Sequence, residues 1–325
     1  MTQAHALCPH AMQVHHIERE TADVWTLSLI NHDVYAYQPG QYALVSINNG
    51  ATVRAYTLSS TPGQSRFTTI TVRRLADGQG SRWLTEQVKA GDILWLSEAQ
   101  GDFTCARRTA ERYLFLAAGC GITPVMSMCR WLLANHPQTD IQVIYSVRSP
   151  DDIIFAKQWH LLQSRLRLTL FAELQSVAPV IAGRLTRARL ATLAPDIALR
   201  QVMACGPAPY MEQVRQDAEA LGAQSFQQEY FHTPETVSQQ QLTITQASSL
   251  RHFSAPVGVS LLKAMEDNHI PVNAACRAGV CGCCKTRILD GQHSSTSAIT
   301  LSPQEINDGY VLACSCRLTG DVVIA

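Results

Sequence analysis

Short apolar segments separated by polar turns fill the first third of the chain. The segments are rich in β-branched and aromatic residues, and turn pairs such as Pro-Gly and Asn-Gly lie between them. This pattern predicts an antiparallel β-barrel or sandwich over residues 1–106, interrupted by one helix at 81–89. The clearest strands of this region are predicted at 42–47, 67–74 and 93–97.

From residue 107 to about 230, buried apolar runs alternate with longer segments of helical periodicity. Such alternation is typical of a parallel sheet with helices on both faces. The strands are predicted at 112–118, 141–147, 166–172 and 201–206. The helices are predicted at 124–134, 152–164, 185–193 and 207–221.

A polar stretch, HTPETVSQQQ, predicts a linker at 232–241. A third unit follows at 242–325, with an amphipathic helix predicted at 260–268. We therefore predict a multidomain chain in which a β-barrel (1–106) and an α/β domain (107–231) precede the linker and the C-terminal domain.

Composition and charge narrow the class of protein. Of the 325 residues, 46% are apolar and 16% are charged, which excludes a disordered chain or a coiled coil. The 26 basic and 26 acidic residues balance and form no long runs, so we expect neither nucleic acid nor a membrane as partner. The first residues lack the pattern of a secretion signal, and apolar runs are too short to span a bilayer. These features predict a cytoplasmic protein.

The chain has eleven cysteines, an odd and large number for a compartment where disulfides rarely persist. Cys276, Cys281, Cys284 and Cys314 have the spacing C-x4-C-x2-C-x29-C. Four thiolates at the plant-type ferredoxin spacing are what a [2Fe–2S] cluster needs. Gly279 allows the backbone to turn tightly there and to aim amide groups at the sulfurs.

A zinc site or a set of buried free cysteines is the alternative interpretation of this region. Cys283 and Cys316 lie beside the predicted ligands and outside the spacing, so we expect them to pack as small apolar side chains. The segment YVLACSC also leaves Cys316 open as a fourth ligand in place of Cys314.

The segment RAYTLSS at 54–60 combines a fixed cation, an aromatic ring and several hydroxyl groups directly after a predicted strand. Arg54 can neutralise a phosphate, Tyr56 can cover a flavin, and Thr57 can hydrogen-bond the redox-active edge of the flavin. A bland surface turn is the alternative.

The segment GQGSRWL places Gly80 and Ser81 at the start of a predicted helix. Free amide groups at a helix start favour a phosphate, although a serine-capped glycine turn has the same pattern. Arg73 and Arg74 end the preceding strand and favour an anionic ligand.

Two loops follow strands of the α/β domain. In AAGCGITPVMSM, two glycines permit close approach of the backbone to a pyrophosphate, a threonine offers a hydroxyl group, and a proline suits the first helical turn. These residues are Gly119, Gly121, Thr123 and Pro124. The second loop, CGP, places Cys205 at the carboxyl edge of the sheet, where ligands bind, although a buried thiol without a function is the alternative.

Together, the ordered motifs R-x-Y-T-x-x-S, G-x-G-S, G-x-G-x-T-P, C-G-P and C-x4-C-x2-C-x29-C resemble the ferredoxin–NADP reductase superfamily with a plant-type ferredoxin fused at the carboxyl end. The resemblance covers nearly the whole chain. It implies a flavin-binding antiparallel β-barrel, a pyridine-nucleotide-binding α/β domain with a parallel sheet, and a β-grasp [2Fe–2S] ferredoxin domain of the α+β class. It also implies that the flavin is FAD.

The residue patterns and the resemblance together give a set of candidate site residues. Thr57, Cys205 and Glu229 are the candidate catalytic residues, and many relatives have Ser where this chain has Thr57. The candidate cofactor-binding residues are Arg54, Ala55, Tyr56, Thr57, Arg73, Arg74, Gly80, Ser81, Gly119, Gly121, Thr123, Pro124, Arg148, Cys205, Gly206, Pro207 and Phe231.

The preference between NADH and NADPH depends on the segment YSVRSPDD. Arg148 can bind a 2′-phosphate, whereas Asp151 and Asp152 can bind a free ribose or repel a phosphate. The residues alone leave both nucleotides open, and the resemblance implies NADH.

Electron counting predicts the order of the carriers. A nicotinamide gives up two electrons as a hydride, a [2Fe–2S] cluster accepts one at a time, and a flavin can do both. We therefore expect electrons to pass from NADH to FAD, to the cluster and then to an external acceptor. The resemblance implies the hybrid-cluster protein as that acceptor, with a link to nitric oxide or hydroxylamine reduction. A reductase component of an oxygenase and a redox sensor without turnover are the alternatives.

Overall fold

The computed structural model describes residues 5–107, 109–174, 177–231 and 238–325. The described residues fall into two compact units. The first ends at Phe231, and the second comprises the chain beyond it together with Thr52–Arg54. Within the described part of the chain, no helix has the length and apolar character needed to cross a membrane.

Six antiparallel strands form the predicted N-terminal barrel. They are β1 (His10–Arg19), β2 (Val24–Ile30), β3 (Tyr42–Ile47), β4 (Thr52–Thr57), β5 (Thr68–Arg73) and β6 (Ile93–Leu96). Their order is β4-β3-β6-β1-β2-β5, and a bridge from Leu58 to Ile70 brings the end of β4 against β5. Inward-facing side chains such as Val14 and Leu27 form the core because apolar residues recur on one face of each strand.

The strand predicted at 42–47 is confirmed, and those predicted at 67–74 and 93–97 are confirmed with slightly shorter bounds. The helix predicted at 81–89 begins earlier: α1 spans Gln79–Arg82 and continues as one π-helical turn, Trp83–Gln87. The helical segment ends there because Val88 has an extended backbone.

Six parallel strands form the second sheet. They are β7 (Arg112–Ala118), β8 (Asp140–Val147), β9 (Arg167–Ala172), β10 (Ile181–Ala182), β11 (Gln201–Cys205) and β12 (Ser225–Glu229). Their order is β10-β9-β8-β7-β11-β12, so the direction of winding reverses between β7 and β11. In open α/β sheets, ligands bind outside the carboxyl ends of the strands at such a reversal.

Four helices cover this sheet: α2 (Ile122–Asn135), α3 (Ala156–Leu162), α4 (Arg187–Leu193) and α5 (Ala208–Ala220). Side chains of β7 alternate between two cores, because successive strand residues point to opposite faces. Tyr113 and Phe115 pack on the side of α2, whereas Leu114 and Leu116 pack on the side of α4 and α5. The predicted α/β domain with a parallel sheet covered on both faces is confirmed.

One helix boundary in this domain was predicted wrongly. The segment 152–164 is not one helix: Pro150–Asp152 forms a 3-10 turn and α3 begins only at Ala156. Phe155 lies between them with a φ of 61°, in the left-handed region, which interrupts a right-handed helix. The periodicity of apolar residues did not reveal this break.

Residues 238–325 of the second unit form five strands and two helices. The strands are β13 (Gln241–Gln246), β14 (Arg251–Pro256), β15 (Lys285–Ser295), β16 (Tyr310–Leu312) and β17 (Cys316–Ile324), in the order β14-β13-β17-β15-β16. The helices are α6 (Leu261–Asp267) and α7 (Pro303–Asn307). The predicted β-grasp class is confirmed. Ser260 starts α6 because its hydroxyl accepts a hydrogen bond from the Lys263 amide.

The predicted linker, 232–241, falls partly outside the described residues, because 232–237 are not described. Its last residue, Gln241, is the first residue of β13. The exact domain boundaries stay predictions.

Candidate flavin, nucleotide and iron–sulfur sites

The two loops predicted to hold the nucleotide touch each other at the carboxyl edge of the parallel sheet. A methyl group at Gly121 would lie only 2.0 Å from the Cys205 carbonyl oxygen and 2.7 Å from the Gly206 nitrogen. Only glycine therefore permits this contact between the loop after β7 and the loop after β11. The contact lies at the reversal of strand order, where a dinucleotide would bind.

The loop after β7 is held by its neighbours on the same edge. Gly119 has a φ of 53°, and its carbonyl oxygen accepts a hydrogen bond of 3.1 Å from the Tyr145 hydroxyl. Thr123 donates to the Cys120 carbonyl at 2.9 Å, so its hydroxyl stabilises the turn into α2. Pro124 is buried in the first turn of α2, as predicted from the sequence.

Cys205 ends β11 between two neighbouring strands, opposite Ala117 of β7 and Glu229 of β12. Its side chain is completely buried. Burial raises the pKa of Cys205 well above its ordinary value, and the nearby Glu229 raises it further, so the thiol is neutral. Gly206 follows, and Pro207 immediately precedes α5.

Glu229 is partly exposed, but the Oε2 atom of its carboxyl group is buried. Its Oε2 atom receives no hydrogen bond from any described residue. Burial raises the pKa of Glu229 to about 8, so the group is mainly protonated at pH 7. A buried polar atom without a partner in the protein is the expected sign of a ligand position. Phe231, two residues further on, is 37% exposed.

The candidate flavin motif begins within strand β4. The sequence had suggested instead that the motif follows a strand. Arg54, Ala55 and Tyr56 belong to β4, and Thr57 is its last, buried residue. The Arg54 guanidinium donates to the Thr52 hydroxyl and to the Val53 carbonyl, both at 2.8 Å. Tyr56 packs against the barrel core and is partly buried.

The two neighbouring arginines at the end of β5 diverge. Arg73 points to the nucleotide loop, with its Nη1 atom 3.4 Å from where a methyl group on Gly119 would lie. Its Nε atom is buried and donates to no described residue, although Asp23 Oδ2 lies 3.4 Å away. The Arg74 guanidinium instead lies 5.0 Å from the centre of the Trp25 ring.

In the second candidate phosphate loop, the hydroxyl group of Ser81 makes hydrogen bonds within the loop itself. Gly80 and Ser81 are both buried in α1. The Ser81 hydroxyl donates to the Gly78 carbonyl at 3.0 Å and accepts from the Leu75 amide at 3.1 Å. Ser81 thus holds the turn that joins β5 to α1.

Arg148 follows β8, at the position where a nucleotide ribose is expected. Its Nη2 atom lies 3.2 Å from Asp152 Oδ1 and 3.6 Å from Asp23 Oδ2. Asp152 also accepts from the Ser149 amide, which fixes its carboxylate at the start of the 3-10 turn. The guanidinium therefore faces two carboxylates.

The four predicted cluster ligands come together in the second unit. Cys284 Sγ lies 3.4 Å from Cys314 Sγ, and the Cys276 side chain interacts with those of Cys281 and Cys314. The Gly279 amide donates to Cys314 Sγ at 3.1 Å. This all-sulfur donor set with amide donors fits a [2Fe–2S] cluster.

Backbone amide groups of this loop donate to the sulfur atoms. The Ala278 amide donates to Cys276 Sγ at 3.4 Å, in addition to the Gly279 amide that donates to Cys314 Sγ. Amide donors stabilise thiolate sulfur, which is the form of cysteine that binds iron, so these contacts fit a metal cluster.

The other two cysteines of this region have different surroundings. Cys316 is completely buried in the apolar core of the second unit, where burial raises its pKa to about 12. Cys283 lies 3.9 Å from the Cys281 carbonyl oxygen. These positions favour Cys314 as the fourth ligand.

Among the described residues, no three or more His, Cys, Asp and Glu side chains are arranged to hold a single metal ion.

The sequence did not indicate two residues that shape the nucleotide edge. Tyr145 was interpreted only as part of a buried strand, yet its hydroxyl holds Gly119. Asp23 lies in the turn between β1 and β2, where an acidic residue indicates a turn and nothing more. For Tyr145, the sequence did carry a usable signal, because its hydroxyl group lies near the carboxyl end of a predicted strand.

Family models match the chain in three successive parts. Residues 12–105 match an oxidoreductase FAD-binding domain, residues 115–216 match an oxidoreductase NAD-binding domain, and residues 244–319 match a 2Fe-2S iron-sulfur cluster binding domain. The FAD, NAD and 2Fe–2S cofactors predicted from the sequence are thereby confirmed.

Relatives resemble the chain over its full length. The NADH oxidoreductase HCR of Escherichia coli strain K12 is 55% identical and is covered completely, as is this chain. The glycine betaine monooxygenase reductase subunit of Chromohalobacter salexigens is 30% identical, with 97% of this chain and 95% of the relative covered. The structure of phthalate dioxygenase reductase has the same fold, with a TM-score of 0.66 and 21% identity over 97% of each chain.

Proposed function

The chain belongs to the family of the NADH oxidoreductase HCR, and on that premise we propose that it transfers electrons from NADH, through FAD and its 2Fe–2S cluster, to the hybrid-cluster protein. Its domains make it an electron-transfer oxidoreductase. The observation that carries the proposal is the approach of Arg73, at the end of the barrel strand β5, to Gly119 of the nucleotide loop. A residue of the flavin-binding barrel and the nucleotide loop thus lie side by side.

Each group of residues has a defined task in this proposal. When bound, FAD accepts two electrons as a hydride and releases them singly, which connects a nicotinamide to a one-electron cluster. Gly119 lets the backbone approach the nucleotide pyrophosphate, and Gly121 lets its loop pack against the loop after β11. Cys205 is neutral and completely buried at the end of β11, so it supports this edge from beneath. Orientation of the reactants, more than acid–base chemistry, is the protein's contribution.

Glu229 has the second task at this edge. Because burial raises its pKa to about 8, it holds a proton on its carboxyl group at pH 7. A neutral carboxyl group can donate a hydrogen bond to a ligand, which a carboxylate cannot do. The unpartnered Oε2 atom would then find its partner in the bound ligand.

The proposed donor is NADH rather than NADPH. Asp23 and Asp152 both approach the Arg148 guanidinium. Two carboxylates at this guanidinium favour a free ribose over a doubly charged 2′-phosphate.

The proposed acceptor rests on the degree of relatedness. The chain is 55% identical to the NADH oxidoreductase HCR and 30% identical to a monooxygenase reductase subunit, both over nearly the full length. Because of the second relative, a reductase component of an oxygenase is the competing candidate. It would use the same electron carriers and a different partner.

Rapid mixing tests the acceptor directly. The loaded protein is reduced with NADH without oxygen and mixed with hybrid-cluster protein, and the flavin and cluster absorbance is followed. We expect reoxidation to be at least about tenfold faster than with an oxygenase component of equal concentration. Equal rates, or a faster rate with the oxygenase, would contradict the proposed partner.

Replacement of Cys281 by Ser tests the order of the carriers. We expect transfer to hybrid-cluster protein to fall by about 100-fold or more, because the predicted last carrier is lost. NADH oxidation by ferricyanide, which can take electrons before the cluster, should stay within about twofold of the unmodified protein. Cys283→Ser is the matched control, since Cys283 lies outside the predicted ligand set. Equal loss of both activities in Cys281→Ser would overturn the order.

A further inference from the structure

The turn between β1 and β2 of the barrel contacts the nucleotide edge of the parallel sheet. Lys157 Nζ lies 2.9 Å from Glu18 Oε1, and the Phe155 amide donates to Glu20 Oε2 at 3.2 Å. Asp23, at the tip of the same hairpin, approaches Arg148 at 3.6 Å. Three acidic residues of the barrel therefore face the segment that follows β8.

Asp23 is held firmly at this position. Its Oδ1 atom accepts a hydrogen bond of 3.0 Å from the Thr21 hydroxyl, and its carbonyl oxygen accepts one of 2.8 Å from the Arg74 amide. The second carboxylate oxygen, Oδ2, is left to face two guanidinium groups, those of Arg73 and Arg148. The side chain is 29% exposed, so the charge is only partly screened by water.

These contacts give Asp23 two different effects on a nucleotide. Its pairing with Arg73 acts beside Gly119, near the pyrophosphate that NADH and NADPH share. Its pairing with Arg148 acts where only NADPH carries an additional phosphate. The ratio of NADPH to NADH use isolates the second effect, because the first applies equally to both nucleotides.

We propose that Asp23, contributed by the flavin barrel, is a specificity-determining residue that excludes NADPH. It holds the Arg148 guanidinium against itself and Asp152, so this cation is withheld from a 2′-phosphate, and its own negative charge repels that phosphate. The inference rests on the proposed function, in which NADH is the donor. It assigns the choice of nucleotide in part to the barrel.

The variant Asp23→Asn tests this assignment. Asparagine keeps an oxygen that can accept from Thr21 and removes only the charge. We expect the ratio of kcat/KM for NADPH to that for NADH, with ferricyanide as acceptor, to rise on the order of tenfold. Glu18→Gln is the matched control, because Glu18 pairs with Lys157 of the same segment, and its ratio should stay unchanged.

Binding without turnover provides a second measurement. Calorimetric titration with 2′,5′-ADP and with 5′-AMP reports the phosphate preference of the adenosine end alone. We expect Asp23→Asn to improve the affinity for 2′,5′-ADP relative to 5′-AMP by a similar factor. The same protein samples are checked for FAD content, so loss of fold is detected separately.

Removal of Arg148 completes the test. In Asp23→Asn, the further change Arg148→Ala should remove the part of the NADPH gain that Arg148 supplies, whereas Arg148→Ala alone should change the ratio by less than about threefold. A tenfold loss with NADPH in Arg148→Ala alone, or an unchanged ratio in Asp23→Asn, would overturn the assignment. A preference of the unmodified protein for NADPH would instead contradict the proposed donor, so the two failures are distinguishable.

Discussion

The two edges of the parallel sheet use buried polar groups in opposite ways. At the amino edge, the Arg200 side chain is only 1% exposed, and its guanidinium bonds to Asp140, Asp196 and the Tyr113 carbonyl. At the carboxyl edge, Glu229 Oε2 is buried and receives no hydrogen bond from the described residues. The buried charge at the amino edge is hydrogen-bonded, whereas the buried polar atom at the carboxyl edge has no hydrogen bond from the described residues.

The difference separates stability from binding. Hydrogen bonds from Arg200 lower the pKa of Asp196, which is a measure of how well the folded state stabilises that carboxylate. Burial without a partner raises the pKa of Glu229 to about 8, which costs stability in the absence of a ligand. Proteins tolerate such a cost where a ligand completes the site. This contrast supports the carboxyl edge as the proposed nucleotide site.

Replacement of Arg200 by Met should have the largest effect and should be confined to stability. Loss of the buried guanidinium removes its hydrogen bonds and leaves Asp140 and Asp196 only their exposed arginine partners, Arg167 and Arg112. We therefore expect the free energy of unfolding to fall by about 3 kcal/mol. Urea denaturation of the loaded protein measures it. The kcat with NADH and ferricyanide should change by less than about twofold in the folded fraction.

A second arginine, Arg167, tests whether burial of the guanidinium causes the predicted loss of stability. Arg167 also pairs with Asp140, at 2.9 Å, but its side chain is 55% exposed. We expect Arg167→Met to lower the free energy of unfolding by less than about 1 kcal/mol. Equal effects of the two changes would contradict the contrast between a satisfied buried charge and an exposed one.

Replacement of Gly121 by Ala should disrupt the carboxyl edge. The added methyl group would lie 2.0 Å from the Cys205 carbonyl oxygen, so the two loops must separate. We expect kcat/KM for NADH to fall by about 100-fold, equivalent to about 2.7 kcal/mol, because the nucleotide is displaced from the flavin. Steady-state kinetics with ferricyanide measures the change.

Gly222→Ala is the control for this prediction. Gly222 also has a positive φ, of 84°, but a methyl group there meets no described atom within 4 Å. It should lower stability by about 1 kcal/mol and leave kcat/KM within about twofold. A Gly121→Ala protein with unchanged kinetics would show that the loops do not form the nucleotide site.

Glu229→Gln is expected to act only through the pH dependence of stability, in the nucleotide-free protein. The pKa of Glu229 is raised in the folded state, so its protonated form stabilises the fold fully below the ordinary value of 4.5. This stability is lost as the pH rises through about 8. The Gln variant lacks that loss, so its Tm should exceed that of the unmodified protein by about 5 °C at pH 8.5 and by almost nothing at pH 4.5.

Thermal unfolding at a series of pH values checks this prediction. A Tm difference that is the same at pH 4.5 and pH 8.5 would show that the Glu229 carboxyl group is not raised in pKa. The amino edge would then no longer differ from the carboxyl edge in the way described.

The elements of the fold were largely readable from the sequence. The strands at 42–47 and 112–118 match to the residue, because apolar β-branched or aromatic runs end at turn residues. The helix at 152–164 was wrong because the left-handed backbone of Phe155 leaves no trace in the apolar pattern. The flavin motif was placed after a strand, although Arg54 lies within one.

The sequence identified site residues only where their spacing along the chain forms a recognisable motif. Cys276, Cys281 and Cys284 form a local spacing, and the folded loop brings their sulfurs together with that of Cys314. Asp23 was missed because its role depends on how the barrel hairpin packs against the segment after β8. Such a contact between distant parts of the chain is determined by tertiary packing, which no local pattern reports.

The most direct test of the electron path is an anaerobic titration of the loaded protein with NADH, read by absorbance and by electron paramagnetic resonance. We predict that the flavin absorbance decreases and that the signal of a reduced [2Fe–2S] cluster appears in the same titration. Cys281→Ser should keep the flavin change and lose the cluster signal. A protein whose flavin stays oxidised with excess NADH, or whose intact cluster stays oxidised while the flavin is fully reduced, would contradict the proposed path.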